Sequence, residues 1–283
     1  MKTATIPLRI IDLINRGMDH FKEKGIGNAR REMEWFLCEI LKCTRIDLYM
    51  RFEEILLGND LQKLRNMMKR RINGEPFQHI IGKGTFYGRD FKVNQHVLTP
   101  RPESEILIGR LKNNGKVTSL LEIGTGSGCI AITAALENLA DKIYATDISS
   151  QAIEVAQQNM TLFSMSTIQL ARHDFLTQQF NSKFDVVISN PPYIGLNEMD
   201  TLQKEVREFD PSVALTDEND GLTFYRRFAD QFGELGNPNG YLLLEIGGNP
   251  QKDAVETIFQ NAELKTESFK DLQGDYRVVE VRS

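Results

Sequence analysis

From residue 119 onward the chain alternates short apolar runs with stretches of helical periodicity, a pattern that few architectures accept. The spacing predicts strands over 119–123, 142–146, 167–171, 184–189 and 241–246, with helices over 129–136, 149–160, about 221–232 and 250–259. A strand buried on both faces reads as a nearly continuous apolar run, as Phe184-Asp185-Val186-Val187-Ile188-Ser189 does. Parallel neighbours need a crossover connection, so the alternation implies a parallel sheet with helices on both faces. Two closing strands, over 264–269 and 276–281, have no helix between them. They are expected to pair as a hairpin that sets one antiparallel strand in the sheet.

The first quarter follows a different rule. Ile10, Leu13, Ile14, Met18 and Phe21 recur at three- and four-residue spacing, and Met33, Phe36, Leu37, Ile40 and Leu41 repeat the pattern after Gly25 and Gly27. With further helices starting near Thr44 and after Gly58-Asn59-Asp60, residues 1–74 read as a small helical bundle whose first helix spans 7–24. Glycine-punctuated aromatic and β-branched residues over 75–99 predict a hairpin around Gly88-Arg89-Asp90, taken as a connector. The α/β domain then fills 100–283, opening on a helix from Pro100-Arg101-Pro102-Glu103 through Leu111. Two domains suit a chain of 283 residues.

Charge separates along the same line. Residues 1–83 carry a net +5 and the remainder −10. Arg65, Lys69, Arg70 and Arg71 form the densest basic stretch, which reads either as a surface for an anionic partner such as a protein or ribosomal RNA, or as a solvated helix face. No apolar run approaches the ~18 residues of a membrane span, and Met1–Pro7 lacks the apolar core of a signal peptide. Cys38, Cys43 and Cys129 are odd in number and His20, His79, His96 and His173 are scattered, so the expectation is a reducing, cytoplasmic compartment and no bound metal.

Glu122-Ile123-Gly124-Thr125-Gly126-Ser127-Gly128 leaves the first strand of the α/β domain and enters a helix. Glycines at alternate positions let backbone pass close to a ligand. The spacing is Gly-x-Gly-x-Gly, not the dinucleotide Gly-x-Gly-x-x-Gly. Asp147 ends the second strand, about twenty residues on, where a carboxylate accepts from both ribose hydroxyls. After the third strand, Asp174 and Phe175 offer a carboxylate and an apolar face to an adenine.

Asn190-Pro191-Pro192-Tyr193 leaves the strand over 184–189. Ligands of parallel sheets sit beyond the carboxyl ends of the strands, so these residues face a substrate. The prolines have fixed φ and leave their carbonyls free as acceptors. With the Asn190 side-chain carbonyl and the flat ring of Tyr193, they suit a planar NH2 group, either a carboxamide or the exocyclic amine of a base. An adenosyl site facing such a nitrogen is the arrangement for methyl transfer from S-adenosyl-L-methionine, with S-adenosyl-L-homocysteine as the product.

Further signals stand in order along the chain: Gly74-Glu75-Pro76, Phe86-Tyr87-Gly88, Pro100-Arg101-Pro102-Glu103-Ser104-Glu105, Cys129-Ile130-Ala131 after the glycine loop, Asp147-Ile148-Ser149, Ile194 after the tetrapeptide, Asp220-Gly221-Leu222 and Glu245-Ile246-Gly247. With the two constellations above, the chain resembles the release-factor glutamine methyltransferases, the PrmC/HemK family, over nearly its whole length. The resemblance implies a seven-stranded Rossmann-like class I methyltransferase domain, with a helical domain that helps hold the protein substrate. It implies N5-methylation of the glutamine in the Gly-Gly-Gln tripeptide of class 1 peptide-chain release factors, with no direct nucleic-acid substrate.

By motif match, Gly124, Thr125, Gly126, Ser127, Gly128 and Asp147 hold the cofactor, with Asp174 and Phe175 beside it. Asn190 borders both cofactor and glutamine, while Pro191, Pro192 and Tyr193 line the glutamine slot. Phe175 stands where relatives often have Trp, and Ser104 where Thr is usual, so no role is carried onto Ser104. Two alternatives remain open at this point: an adenine-N6 methyltransferase on DNA or RNA, and a non-catalytic cofactor-binding scaffold.

Overall fold

The computed structural model describes residues 8–283; Met1–Pro7, with the expected start of the first helix at Pro7, lie outside the described residues. The chain separates into two compact units, one ending at Ile81 and the other Gly82–Ser283.

In the first unit, α1 (Ile10–Glu23), α2 (Ala29–Leu41), α3 (Arg45–Met50), α4 (Gly58–Ile72) and α5 (Phe77–Ile81) pack around Ile14, Phe21, Met33, Phe36 and Leu37. Thr44 caps α3 reciprocally: its hydroxyl accepts from Asp47 N–H at 3.2 Å and its own N–H donates to Asp47 Oδ2 at 3.0 Å. Helix α5 was not visible to periodicity, because five residues span little more than one turn. It carries the unit past residue 74.

The basic stretch on α4 divides on inspection. Arg71 donates to the buried Glu32 at 2.7 Å, and Arg70 Nε to Glu75 Oε2 at 2.7 Å, so both clamp the bundle. Arg65 and Lys69 are exposed.

The second unit begins with the hairpin β1 (Lys83–Phe86) and β2 (Arg89–Lys92). Tyr87 and Gly88, at φ 50° and 73°, form its two-residue turn, and positive φ at both positions matches the right-handed twist of the strands. The hairpin is built into this unit. Asn159 takes Lys92 N–H at 2.7 Å and donates to Lys92 O at 3.0 Å, and Glu105 accepts from Tyr87 N–H at 2.7 Å. What the sequence suggested as a connector over 75–99 therefore divides, with α5 joining the first unit and the strands the second.

Helix α6 (Glu105–Asn113) leads into the main sheet: β3 (Val117–Ile123), α7 (Cys129–Leu136), β4 (Ala140–Asp147), α8 (Ser150–Leu162), β5 (Ile168–Arg172) and β6 (Phe184–Ser189). After the short helices α9 (Lys204–Phe209) and α10 (Ser212–Leu215) come α11 (Thr223–Leu235), β7 (Gly236–Glu245), α12 (Asn249–Asn261), β8 (Lys265–Lys270) and β9 (Tyr276–Arg282). The strand order is β5-β4-β3-β6-β7-β9-β8. Strand β9 runs antiparallel to both β7 and β8, and the pairs among the other five strands are parallel.

Side chains alternate between two cores, as expected of a doubly covered sheet. Leu120, Val186 and Leu243 face α6 and α7, while Leu121, Val187 and Leu242 face Phe228 of α11 and Phe259 of α12. The chain runs outward from β3 to β5, then returns to lay β6 against the other side of β3. The carboxyl ends of β3 and β6 thus flank the crevice in which such sheets bind ligands.

Candidate active site

Ile123 and Ser189, the last residues of β3 and β6, lie opposite each other, and Ser189 Oγ donates to Ile123 O at 2.7 Å. The glycine loop and the Asn190 tetrapeptide therefore leave the sheet side by side. A Cβ on Gly124 would stand 3.9 Å from Asn190 O.

The loop is fixed from below. Gly124 and Thr125 N–H both donate to Thr146 O at 2.9 Å, and Gly128 N–H closes on Thr125 O at 2.8 Å. Gly124 has φ +75° and Gly128 φ +79°. At Gly128 a Cβ would also stand 3.2 Å from Ala156 Cβ, so glycine lets α7 and α8 approach. Thr125 and Ser127 are buried and shape the turn. Thr125 Oγ1 donates to Glu122 Oε2 at 2.6 Å, and Ala131 N–H donates to the same oxygen at 3.0 Å. Complete burial pushes the Glu122 carboxyl up to about 8, against the pull of those two donors.

Asp147 meets the loop from β4. One oxygen accepts from Gly126 N–H and the other from Ser149 N–H, each at 2.9 Å, so the carboxylate is oriented before any ligand arrives and keeps lone pairs to spare. Burial raises its pKa, while those backbone donors pull it down. Phe175 is a buried wall of the cleft, held by Phe228 at 4.5 Å between ring centres and by Arg227 Nε donating to Phe175 O at 3.1 Å. Asp174 lines the same cleft, but both its oxygens are engaged within its own turn, by Leu176 N–H at 3.0 Å and Thr177 Oγ1 at 2.7 Å.

Gly124, Thr125, Gly126, Ser127, Asp147, Asp174 and Phe175 border one cavity of about 360 Å³, together with Asn190, Pro191 and Pro192, while Gly128 stands behind the loop and does not line it. That volume lies within the range of small-molecule sites. Tyr193 does not line it. Its ring lies against Gly247, whose added Cβ would stand 3.1 Å from Tyr193 Cδ2, and its backbone carbonyl accepts from Gln251 Nε2 at 2.9 Å. Burial raises the Tyr193 phenol, so it stays protonated.

Several site residues carried no sequence-derived role. Ser104 Oγ accepts from Asn190 Nδ2 at 3.2 Å and donates to Glu245 Oε2 at 2.6 Å. Arg101, on the cavity wall, pairs with Asp210 at 3.0 Å, and burial pushes the Asp210 carboxyl up to about 6. Gly221, at φ +78°, touches the tetrapeptide so closely that a Cβ would stand 2.3 Å from Tyr193 O. Asp217 secures that approach by accepting from Gly221 and Thr223 N–H, each at 2.9 Å. The motifs that hold Ser104, Gly221 and Glu245 stood out in the sequence, but their contacts join residues far apart in the chain.

Among the described residues, no His, Cys, Asp and Glu cluster could hold a metal ion, and no helix is long and apolar enough to cross a membrane.

Residues 12–82 match the family model of the PrmC N-terminal domain, and residues 102–208 that of the methyltransferase small domain. The chain is 33% identical over 276 residues to the release factor glutamine methyltransferase of Fusobacterium nucleatum, a match covering 95% of this chain and 77% of that one. To the Bacillus subtilis release factor glutamine methyltransferase it is 36% identical over 266 residues, covering 89% of this chain and 91% of its relative. A solved methyltransferase from Pyrococcus furiosus superposes with a TM-score of 0.52 at 17% identity, over 76% of this chain and 96% of the other, and so shares the fold. With both family models in register and such identity along most of its length, the chain belongs to the release factor glutamine methyltransferase family.

Proposed function

We propose that this protein transfers the methyl group of S-adenosyl-L-methionine to the side-chain amide nitrogen of the glutamine in the Gly-Gly-Gln motif of class 1 release factors. The observation that carries this reading is the placement of Asn190 and Pro191 beside the glycine loop on one cavity. The cleft suits the cofactor: an oriented Asp147 carboxylate with lone pairs for a ribose diol, an apolar Phe175 wall for an adenine, and a loop whose positive-φ glycines let backbone approach a ligand. When bound, the cofactor supplies an electrophilic sulfonium methyl.

The rest is positioning by the chain. A carboxamide nitrogen is a poor nucleophile because its lone pair is delocalised. Asn190 Oδ1 and the Pro191 carbonyl accept from its two hydrogens, hold the amide in line, and return electron density to nitrogen. Those bonds strengthen as nitrogen becomes pyramidal and its hydrogens more acidic, which favours the transition state over the ground state. The proton leaves after the methyl has transferred, so no general base is required at that step. Tyr193, which lies off the cavity against Gly247, braces the tetrapeptide and does not touch the amide.

The first unit recognises the release factor, and the protein works in the cytoplasm with that partner. Incubation with methyl-labelled cofactor, release factor and DNA in parallel, followed by mapping of the label, tests the reading. Label on the glutamine alone is expected; label on DNA adenine with none on the glutamine refutes it.

A further inference from the structure

An asparagine side chain can offer a cleft either an acceptor or a donor, depending on a half-turn about its last bond. Nothing within Asn190-Pro191-Pro192-Tyr193 decides between them. The decision comes from two residues that the topology brings in from elsewhere. Ser104, 4% exposed, closes a short 3₁₀ turn, Pro102–Ser104, ahead of α6, and Glu245, 2% exposed, ends β7.

A hydroxyl has one hydrogen. Ser104 gives it to Glu245 Oε2 at 2.6 Å, so toward Asn190 it has only lone pairs to offer. Asn190 must then turn its NH2 to Ser104, as it does at 3.2 Å. Its Oδ1 has no protein partner among the described residues and is left for a ligand. We propose, on the footing of the glutamine-methylation reading, that Ser104 and Glu245 are positioning residues which fix the Asn190 amide with its carbonyl presented to the substrate nitrogen.

The direction of this chain of hydrogen bonds depends on Glu245 being an acceptor. Burial pushes its carboxyl up to about 7; Glu103 adds to the rise, while the bonds from Ser104 and Asn190 and the charge of Arg277 oppose it. Tyr193, Tyr225 and Cys129 also lie within electrostatic reach and are uncharged at neutral pH. Protonated, Glu245 can donate to Ser104 Oγ. The Ser104 hydrogen is then released toward Asn190, and the amide turns over to present NH2 where an acceptor is needed. The arrangement parallels the outer hydrogen bonds that fix which nitrogen a metal-bound histidine presents.

The test uses the full chain, purified release factor and methyl-labelled cofactor. Ser104→Thr and Ser104→Val differ only in the hydroxyl, so comparing them removes packing from the question. Ser104→Thr is expected to keep kcat within about 3-fold of the parent and Ser104→Val to lose roughly 10-fold more, as for a hydrogen bond to a charged partner. Cofactor affinity by calorimetry and the KM for release factor are expected to move by less than about 2-fold, because neither ligand is held by Ser104. The parental kcat is expected to rise as pH passes through about 7. Glu245→Gln, which cannot ionise, is expected to flatten that rise and to turn over more slowly than the parent at pH 8.

Equal kcat for the Thr and Val variants, or a rise with pH that persists unchanged in Glu245→Gln, overturns the proposal while leaving the enzyme's substrate intact. Failure of the parent itself to label the glutamine sinks the substrate reading, and this inference with it.

Discussion

Replacing Gly221 by alanine tests how the tetrapeptide is held in place. The new Cβ meets Tyr193 O at 2.3 Å and Gly195 N at 3.1 Å. Gly221 cannot retreat, because its N–H donates to Asp217 at 2.9 Å and its carbonyl accepts from Gln251 at 3.0 Å. Relief requires the Tyr193 carbonyl to move by about 1 Å, the shortfall from ordinary contact, which breaks its bond from Gln251 Nε2. Left-handed backbone costs an alanine about 1–2 kcal/mol and the lost bond about 1 kcal/mol more. The total, about 2–3 kcal/mol, corresponds to a fall in Tm of roughly 4–12 °C for a unit of this size.

Gly115→Ala is the comparison. Gly115 has φ +88° with nothing within 4 Å of an added Cβ, so only the backbone penalty applies; a fall of roughly 2–8 °C is expected. The two variants should part further in turnover. A displacement of about 1 Å next to the reacting amide can lower kcat roughly 100-fold, whereas Gly115→Ala should leave it unchanged. Scanning calorimetry and single-turnover methylation read both quantities. If the two variants melt together and turn over alike, the contact with Tyr193 does not hold the site.

Asp147→Ala removes the carboxylate proposed to accept from two ribose hydroxyls and is expected to weaken cofactor binding at least ~10-fold by calorimetry; unchanged affinity would take Asp147 out of the site. Asn190→Ala is expected to lower kcat ~10²–10³-fold with a smaller effect on cofactor binding, and near-parental turnover in a folded variant would break the mechanism. Arg71→Gln leaves the buried Glu32 without its ion pair and is expected to destabilise the first unit by about 3–5 kcal/mol. Arg65→Gln with Lys69→Gln, both exposed, should instead raise the KM for release factor and spare cofactor affinity. The carboxyls of Glu122 and Glu245 hold their protons up to about 8 and about 7 in the fold, so the folded form binds more protons than the unfolded one above about pH 4.5. Their contribution to stability therefore falls as pH rises from there to about 8, and Glu122→Gln should flatten the decline in Tm.

The β-strands were the most legible part of the chain. Phe184–Ser189 is fixed to the residue, because an apolar run bounded by charge on one side and Asn-Pro on the other leaves no other register. The glycine loop was equally plain, since positive φ at Gly124, Gly126 and Gly128 has few other residues to choose from. Short elements escaped. Helices of four to six residues at Lys204–Phe209 and Ser212–Leu215 cannot establish a period, yet that segment brings Asp210 to Arg101. The relation of Asn190 to Ser104 and Glu245 was invisible for another reason: it joins residues 86 and 141 positions apart, and only the assembled sheet makes them neighbours.

The antiparallel strand β9 has a consequence for how the catalytic sheet comes into being. β7, which carries Leu242, Leu243 and Leu244 and ends on Glu245, finds one neighbour in β6 as soon as it is made. Its other neighbour is not β8, the next strand synthesised, but β9, whose paired residues are Val278 to Val281. Until the ribosome has delivered that far, β7 is a bare edge in the middle of the domain, lined with leucines and open to any passing strand. A nascent chain stalled before Tyr276 would therefore be captured by chaperones or aggregate, and one released through Arg282 would not. In this fold, substrate chemistry waits on β9, a strand that starts more than thirty residues downstream of the one it seals.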